Sequence, residues 1–339
     1  MKKSLRQSNI ELCRIIAIIL VLIVHTTFRS IGDAVCSSYG MLLLMALSVV
    51  GVNVFVIITG YFSATPKKIS LLQIIFVCLF WGVFKLLCYY LLNQPISYKN
   101  FFFITDSNWF IPSYICLLFI APFLNRACDL LSKKQLLGGV LLLFAIRTWF
   151  DWIPPYPSMT LGNQAGHGVL SFILLYILAR YVKLHGTPNF FRNNGGIIYL
   201  MMAIITSILA WVSVKMGHPA LSILYSYNSP FVILSSLGLF MFFERKQFES
   251  SIINHFSKSV LSILLGHSAI FIWYTSQFKY LYFHYSGLLC VAYWVLSLMI
   301  VFFVCILFDQ LRLVIWNKVS IYLKNHIRQN DIFESLNLQ

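Results

Sequence analysis

Long apolar runs recur from one end of this chain to the other, and they constrain its fold more than any other feature. A helix needs roughly 17–25 apolar residues to cross about 30 Å of hydrocarbon, and the runs approach or reach this length. Because 59% of the residues are hydrophobic and only 10% are charged, a soluble domain of this size would expose large apolar patches. The sequence therefore predicts an all-α, polytopic membrane protein with the lipid bilayer as its surroundings.

Hydropathy predicts ten transmembrane helices separated by short polar breaks. The predicted spans are Asn9–Phe28, Tyr39–Phe62, Ser70–Leu92, Asn108–Leu124, Gln135–Trp152, His167–Val182, Gly196–Lys215, Pro230–Phe243, Val260–Tyr274 and Leu288–Leu307. The eighth and ninth are short for a full crossing, so nine or eleven spans are alternatives. We expect one integral membrane domain over residues 1–315 and a short cytoplasmic tail over residues 316–339.

The basic residues predict an orientation and argue against two kinds of partner. Most Lys and Arg residues outside the apolar runs fall in alternate polar segments, which places these segments and both termini in the cytoplasm. Despite the net charge of +15, the basic residues lie at helix ends and form no single stripe, so we expect no nucleic-acid partner. No Cys or His pair has the spacing of a metal site, so we also expect no metal.

The first predicted helix carries three ionisable residues, Glu11, Arg14 and His25, among aliphatic ones. Each such group at membrane depth costs about 2.5–3.5 kcal/mol, so its presence indicates a use. Glu11 and Arg14 are three residues apart and can neutralise each other. Arg14 and His25 are eleven residues apart, which puts them on one face of the helix and roughly 16 Å apart along its axis.

This arrangement suits a reaction that involves both sides of a membrane. An imidazole can take a proton from a hydroxyl and return one to a leaving group, and Arg14 is a permanent cation suited to phosphate or carboxylate. The plainer interpretation is that the three groups only hold helices together through hydrogen bonds. Three aligned polar groups favour the functional interpretation.

Two stretches resemble the membrane acyltransferase-3 family. Glu11-Leu12-Cys13-Arg14, followed by ten residues and His25, resembles the family signature of an Arg and a His on the first helix. The run from Asn53 to Phe62 resembles the family's phenylalanine-rich stretch that ends in Ser-Gly-Phe or Ser-Gly-Tyr, with Thr59 in place of the serine. Weaker likenesses are Trp109-Phe110 and Leu264-Leu265-Gly266-His267, which is similar to a late Tyr-Leu-x-His element without its tyrosine.

The resemblance implies transfer of an acyl group, usually acetyl, from cytoplasmic acyl-CoA to a hydroxyl of a carbohydrate. It implies that His25 acts as general base or transient acyl carrier, while Glu11 and Arg14 hold the donor or orient the histidine. The acceptor would be a capsule, O-antigen or exopolysaccharide, and the location a bacterial inner membrane. Whether the donor is acetyl-CoA or another acyl-CoA, such as a succinyl donor, stays open.

Further site residues also follow from the resemblance. Thr59, Tyr61 and Trp109 are expected to bind substrate in a pocket. For Tyr61 and Trp109, a structural role as an aromatic residue at a helix end or interface is an equal alternative. Lys67 and Lys68 stand where the family often has arginines that meet the acyl donor. Lysine meets a phosphate as a point charge but lacks the bidentate fork of arginine.

Two other classes of function remain as alternatives. A carrier or flippase for a lipid-linked glycan could use a buried Arg and His as substrate contacts, although no internal repeat of the kind common in transporters is evident. A membrane glycan polymerase is the third possibility, although no acidic pair occurs in a predicted outer loop.

Overall fold

The computed structural model describes residues 7–96, 108–152, 166–218 and 220–326 of the 339-residue chain. Helices account for most of these residues, and no strand occurs within them. The prediction of an all-α fold is therefore confirmed. Both chain ends lie outside the described ranges, so the cytoplasmic location of the termini stays a prediction.

Thirteen principal helices, α1 to α13 in chain order, occur within the described ranges. They are α1 (Ser8–Thr26), α2 (Tyr39–Ser48), α3 (Gly51–Tyr61), α4 (Lys68–Leu91), α5 (Phe110–Leu130), α6 (Lys133–Trp152), α7 (Val169–His185), α8 (Gly195–Lys215), α9 (Pro230–Glu244), α10 (Ser251–Phe256), α11 (Val260–Ala269), α12 (Phe271–His284) and α13 (Gly287–His326). Short helical segments connect some of them, at Phe28–Ile31, Gly32–Ser37, Asn189–Asn193, Leu221–Leu224 and Ser257–Ser259.

Six helical segments in the described part are long and apolar enough to cross a membrane. They are Ser8–Ser37, Tyr39–Tyr61, Lys68–Leu91, Phe110–Leu130, Gly195–Lys215 and Gly287–Leu323. A bent pair, α10–α11 with α12, makes a seventh if it is counted as one span. Each of the ten predicted spans coincides with helix, but the count of ten stays a prediction, because α6, α7 and α9 do not meet the same criteria of length and apolarity.

The last two predicted spans differ in shape from the expectation. The ninth was expected to be one helix over Val260–Tyr274, but the chain bends by 76° between Ala269 and Phe271. Gly266 and Ser268 precede this bend, and the Ser268 hydroxyl donates to the carbonyl of Leu264 at 2.8 Å, a pattern that bends helices.

The tenth span was expected to end at Leu307, but α13 continues to His326. Its sequence contains no Gly or Pro after Gly287, so nothing in the backbone ends the helix earlier. The helix therefore crosses the expected boundary at residue 315, and the division into a membrane domain and a tail stays a prediction.

Helix α1 lies at the centre of the described structure. Ile18 and Leu22 belong to one buried hydrophobic cluster, and Cys13 and Ala17 belong to a second. The spacing along α1 puts its ionisable residues on the same helix face as Ile18 and Leu22, which pack in the first cluster. The packing therefore directs its ionisable side chains into the interior of the helix bundle.

Two glycines let α3 approach its neighbours closely. A Cβ at Gly51 would lie 2.5 Å from the carbonyl oxygen of Ala17 on α1, and one at Gly60 would lie 2.6 Å from that of Tyr176 on α7. Small residues commonly allow such approaches between membrane helices. Helix α3 is thus held between α1 and α7, which fixes the position of its polar residue Thr59.

Candidate active site

Two cavities of similar size lie along α1. The His25 cavity, of about 350 Å³, contains His25, Arg29, Lys85 and Trp109 in its lining. The Arg14 cavity, of about 330 Å³, contains Arg14 and Glu11 in its lining. The face that the sequence predicted to carry Glu11, Arg14 and His25 therefore opens into two separate spaces.

The two cavities meet at a shared wall. Phe55 of α3, Phe110 of α5 and Leu264 of α11 line both of them. The rings of Phe55 and Phe110 are in edge contact, with their centroids 6.5 Å apart. This shared wall of three apolar side chains, between the Arg14 end and the His25 end of the site, is called the neck.

Glu11 and Arg14 form the expected ion pair. The Nη1 of Arg14 donates to Oε1 of Glu11 at 2.7 Å. The Glu11 side chain is 8% exposed, whereas that of Arg14 is 35% exposed. One nitrogen of the guanidinium is therefore occupied, and the group keeps donors that face the cavity.

His25 does not stand alone, because His267 of α11 pairs with it. The Nδ1 of His25 lies 2.8 Å from Nε2 of His267, and the two rings stack with their centroids 5.0 Å apart. Phe271, just after the bend, meets the His25 ring edge-on at 5.4 Å. The packing of α11 on α1 thus places a second histidine against the first, and the bend after α11 adds the ring of Phe271.

A backbone carbonyl assigns the protons of this pair. Nδ1 of His267 lies 2.9 Å from the carbonyl oxygen of Ile263, which only accepts, so this nitrogen carries a hydrogen. In neutral His267, Nε2 is then an acceptor, and His25 donates to it from Nδ1. The basic lone pair of His25 is left on Nε2, which has no hydrogen-bond partner among the described residues. This is the tautomer that a general base needs.

Trp109 lies in the His25 cavity, where the resemblance predicted a substrate-binding residue. Its ring contacts His167 at a centroid distance of 4.4 Å and Tyr227 at 5.5 Å. Tyr227 and Asn108 also line the cavity. Aromatic faces beside hydrogen-bonding groups are a suitable surface for a sugar ring.

Thr59 lies in the Arg14 cavity. Its hydroxyl donates to the carbonyl of Phe55 at 2.8 Å and lies 3.2 Å from the hydroxyl of Tyr114. Because the Thr59 hydrogen is used by the carbonyl, Tyr114 is the donor in the second bond. Thr59 thus holds Tyr114 in the cavity wall.

Three of the predicted binding residues are not brought to either cavity. The Tyr61 hydroxyl donates to Oε1 of Glu244 at 2.9 Å, and Lys183 lies 4.5 Å above the Tyr61 ring. Lys67 precedes the first residue of α4 and Lys68 begins it, and neither lines a cavity. The contacts of Tyr61 account for it as a link between helices.

Sequence reasoning left out several residues that line the cavities. Lys85 had a usable signal, because it is a charge inside an apolar run, and it is buried in the wall of the His25 cavity. Lys258 and Arg312 line the Arg14 cavity, but the hydropathy pattern placed them outside the spans. Within the described ranges, no group of His, Cys, Asp or Glu is arranged to hold a metal ion.

A family model for an acyltransferase domain matches residues 7–310, which is most of the chain. The chain belongs to the acyltransferase-3 family. In this acyltransferase-3 protein, the matched region contains both cavities except for Arg312, which follows it by two residues. No curated protein and no solved structure matches the chain.

Proposed function

We propose that this protein transfers an acyl group, with acetyl as the form to test first, from acyl-CoA to a hydroxyl of a cell-envelope carbohydrate. One observation carries the proposal. The hydrogen bond to His267 holds His25 in the tautomer that a general base needs, and His25 lines a cavity that adjoins the Arg14 cavity at the apolar neck. Membership of the acyltransferase-3 family supports the reaction class.

In the proposed reaction, the donor enters the Arg14 cavity and the sugar enters the His25 cavity. Nε2 of His25 takes the proton of the sugar hydroxyl, whose oxygen attacks the thioester carbonyl. The C–O ester bond forms, the C–S bond breaks, and the imidazolium returns the proton to the departing thiolate. A route in which His25 first accepts the acyl group uses the same nitrogen.

The neck formed by Phe55, Phe110 and Leu264 gives this reaction a physical advantage. Apolar side chains exclude water from the point where the two substrates would meet, which limits hydrolysis of the thioester. The cavities are each within the range of about 300–1,000 Å³ that is usual for small-molecule sites. Each substrate would therefore place its reacting end in its own cavity, and the reacting groups would meet at the neck.

The proposed topology has ten spans in a bacterial inner membrane, with both termini and the Arg14 cavity on the cytoplasmic side. The distribution of Lys and Arg between alternate segments supports this orientation. The His25 cavity would then face outwards, towards capsule, O-antigen or exopolysaccharide. Acyl-CoA is a cytoplasmic metabolite, so this orientation matches each cavity to the side on which its substrate occurs.

The test is acetylation of the host's surface glycan, measured by proton NMR, together with transfer of label from radioactive acetyl-CoA in membranes. Cells carry wild type, His25→Ala, His218→Ala or an empty vector at matched levels of membrane protein. His218 is an exposed histidine outside both cavities and is the matched control. We expect acetyl signals with wild type and His218→Ala only.

Two other results would contradict the proposal. If His25→Ala acetylates the glycan like wild type, the catalytic centre lies elsewhere. If cells with the empty vector lack the glycan altogether, a carrier for a lipid-linked glycan or a polymerase is the better account.

A further inference from the structure

The Arg14 cavity contains a second arginine, Arg312 of α13, that the proposed reaction does not use. Only 1% of its side chain is exposed. Its Nε and Nη2 donate to the two carboxylate oxygens of Asp309, at 2.5 and 3.2 Å. Its Nη1 is buried and has no hydrogen-bond partner in the described part of the chain. A buried guanidinium nitrogen without a partner, on a residue that lines a cavity, is suited to a ligand that accepts hydrogen bonds.

The contacts of Arg312 hold its guanidinium in one orientation. Asp309 is itself fully buried, and it accepts a hydrogen bond from the hydroxyl of Ser262 on α11. The carboxylate is therefore fixed from two helices, and it fixes one edge of the guanidinium plane in turn. Nη1, which is not engaged by the carboxylate, is left for a ligand, with little side-chain entropy left to lose on binding.

The charges around Arg312 favour an anion. Arg14, Lys258 and Arg312 line the cavity, and Glu11 is the acidic residue in the lining. With Asp309 counted behind the wall, the local charge remains positive. Arg14 and Arg312 are each paired with a carboxylate three residues earlier, so Lys258 supplies the excess positive charge. A phosphate group can neutralise this excess and accept hydrogen bonds from Arg312.

A third cavity extends the Arg14 cavity away from the neck. Its volume is about 550 Å³, and it shares Gln73 and Lys258 with the Arg14 cavity. His255 and Trp316 also line it. An elongated ligand with a narrow uncharged arm, phosphates and an aromatic base would fit this series of spaces, with the arm towards the neck and the phosphates near Lys258 and Arg312.

We propose that Arg312 and Lys258 bind a phosphate of the acyl donor, and that Arg312 supplies the guanidinium contact that Lys67 and Lys68 cannot make. This inference rests on the proposed function, because it takes a phosphorylated acyl thioester as the donor. Coenzyme A and the phosphopantetheine arm of an acyl carrier protein share that chemistry. Pantetheine has the same arm without phosphate and is the discriminating probe.

The experiment measures binding of coenzyme A, 4′-phosphopantetheine and pantetheine to the purified full-length protein in lipid nanodiscs. Arg312→Met alone would leave Asp309 buried without its partner, so the test variant is Asp309→Asn combined with Arg312→Met. Arg312→Lys keeps the positive charge but removes the planar guanidinium group with its paired donors. Lys318→Met, which removes an exposed basic residue of the same helix outside the three cavities, is the matched control.

We expect the affinity for coenzyme A to fall about tenfold or more in the double variant, which corresponds to about 1.4 kcal/mol, and less in Arg312→Lys. The affinity for pantetheine should not change in any variant. If the affinity for 4′-phosphopantetheine falls as well, Arg312 contacts the phosphate next to the pantetheine arm. A loss for coenzyme A alone would assign it to a phosphate of the nucleotide. Either result supports the proposal.

Three results would overturn it. The first is an unchanged affinity for coenzyme A in both Arg312 variants. The second is a loss of affinity for coenzyme A in Lys67→Met or Lys68→Met and not in the Arg312 variants. In both cases, acetyl transfer by wild type would leave the proposed function intact. The third is wild type that binds coenzyme A no better than pantetheine. If wild-type membranes also transfer no label from acetyl-CoA, the proposed function fails as well.

Discussion

The pairing of His25 with His267 makes a quantitative prediction about catalysis. His267 offers Nε2 as the acceptor for Nδ1–H of His25, at 2.8 Å. In His267→Ala, that N–H loses its partner inside the protein, which costs about 1–3 kcal/mol for a buried donor. This penalty raises the activation barrier, because His25 must keep its tautomer and orientation in the transition state. Since 1.36 kcal/mol corresponds to a factor of ten in rate, the turnover rate falls about 5- to 150-fold.

The same geometry predicts how the two substitutions combine. His25→Ala removes the proposed base, which contributes about 10²–10⁴-fold in rate. His267 is a positioning residue that acts through His25, so His25→Ala combined with His267→Ala should be no slower than His25→Ala alone. His267→Gln places an amide oxygen that can accept from Nδ1–H, and it should recover part of the rate.

The assay is initial-rate transfer of radioactive acetyl from acetyl-CoA to purified host glycan in membranes, with His218→Ala as the control. Thermal stability of each purified variant separates lost positioning from lost folding. The reasoning about the pair is refuted if the two single effects multiply in the double variant. It is also refuted if His267→Ala is as fast as wild type.

Three further predictions concern packing and substrate binding. Gly60→Val would place a side chain 2.6 Å from the Tyr176 carbonyl; we expect a loss of about 1–3 kcal/mol in folding free energy, measured as a lower melting temperature in detergent. Tyr61→Phe removes one hydrogen bond to Glu244 outside both cavities; it should cost about 0.5–1.5 kcal/mol of stability and leave the KM for acetyl-CoA unchanged. Trp109→Ala removes an aromatic surface from the His25 cavity; steady-state kinetics should show a higher KM for the glycan and an unchanged KM for acetyl-CoA.

The sequence predicted the parts of the site that depend on one helix. The spacing of Glu11, Arg14 and His25 sets their common face, because helical geometry alone determines it. The Glu11–Arg14 pair was expected for the same reason and is present. Ten helical segments were also located, since each is an apolar run, although the ten crossings stay a prediction.

The sequence could not predict the parts that depend on contacts between helices. His267 lies 242 residues from His25 along the chain, and it lies beside His25 because α11 packs on α1. The neck forms where side chains from α3, α5 and α11 come together between the two cavities. Tyr61 was expected in a pocket because it follows Thr59 and Gly60 in a motif. It donates to Glu244 instead, because residues two apart on a helix point to nearly opposite sides.

The predicted end of the last span shows why hydropathy missed Arg312. A hydropathy window counts Asp309 and Arg312 as two separate penalties, so the tenth span was ended at Leu307. In the folded chain, the two charges neutralise each other on one face of α13, so the helix can carry them among buried residues. The same spacing, an acidic residue three positions before an arginine, occurs at Glu11 and Arg14 on the first helix, and the arginines of both pairs line one cavity. A search for acidic residues three positions before an arginine near the ends of apolar runs would have selected both helices, but only their packing shows that they share a site.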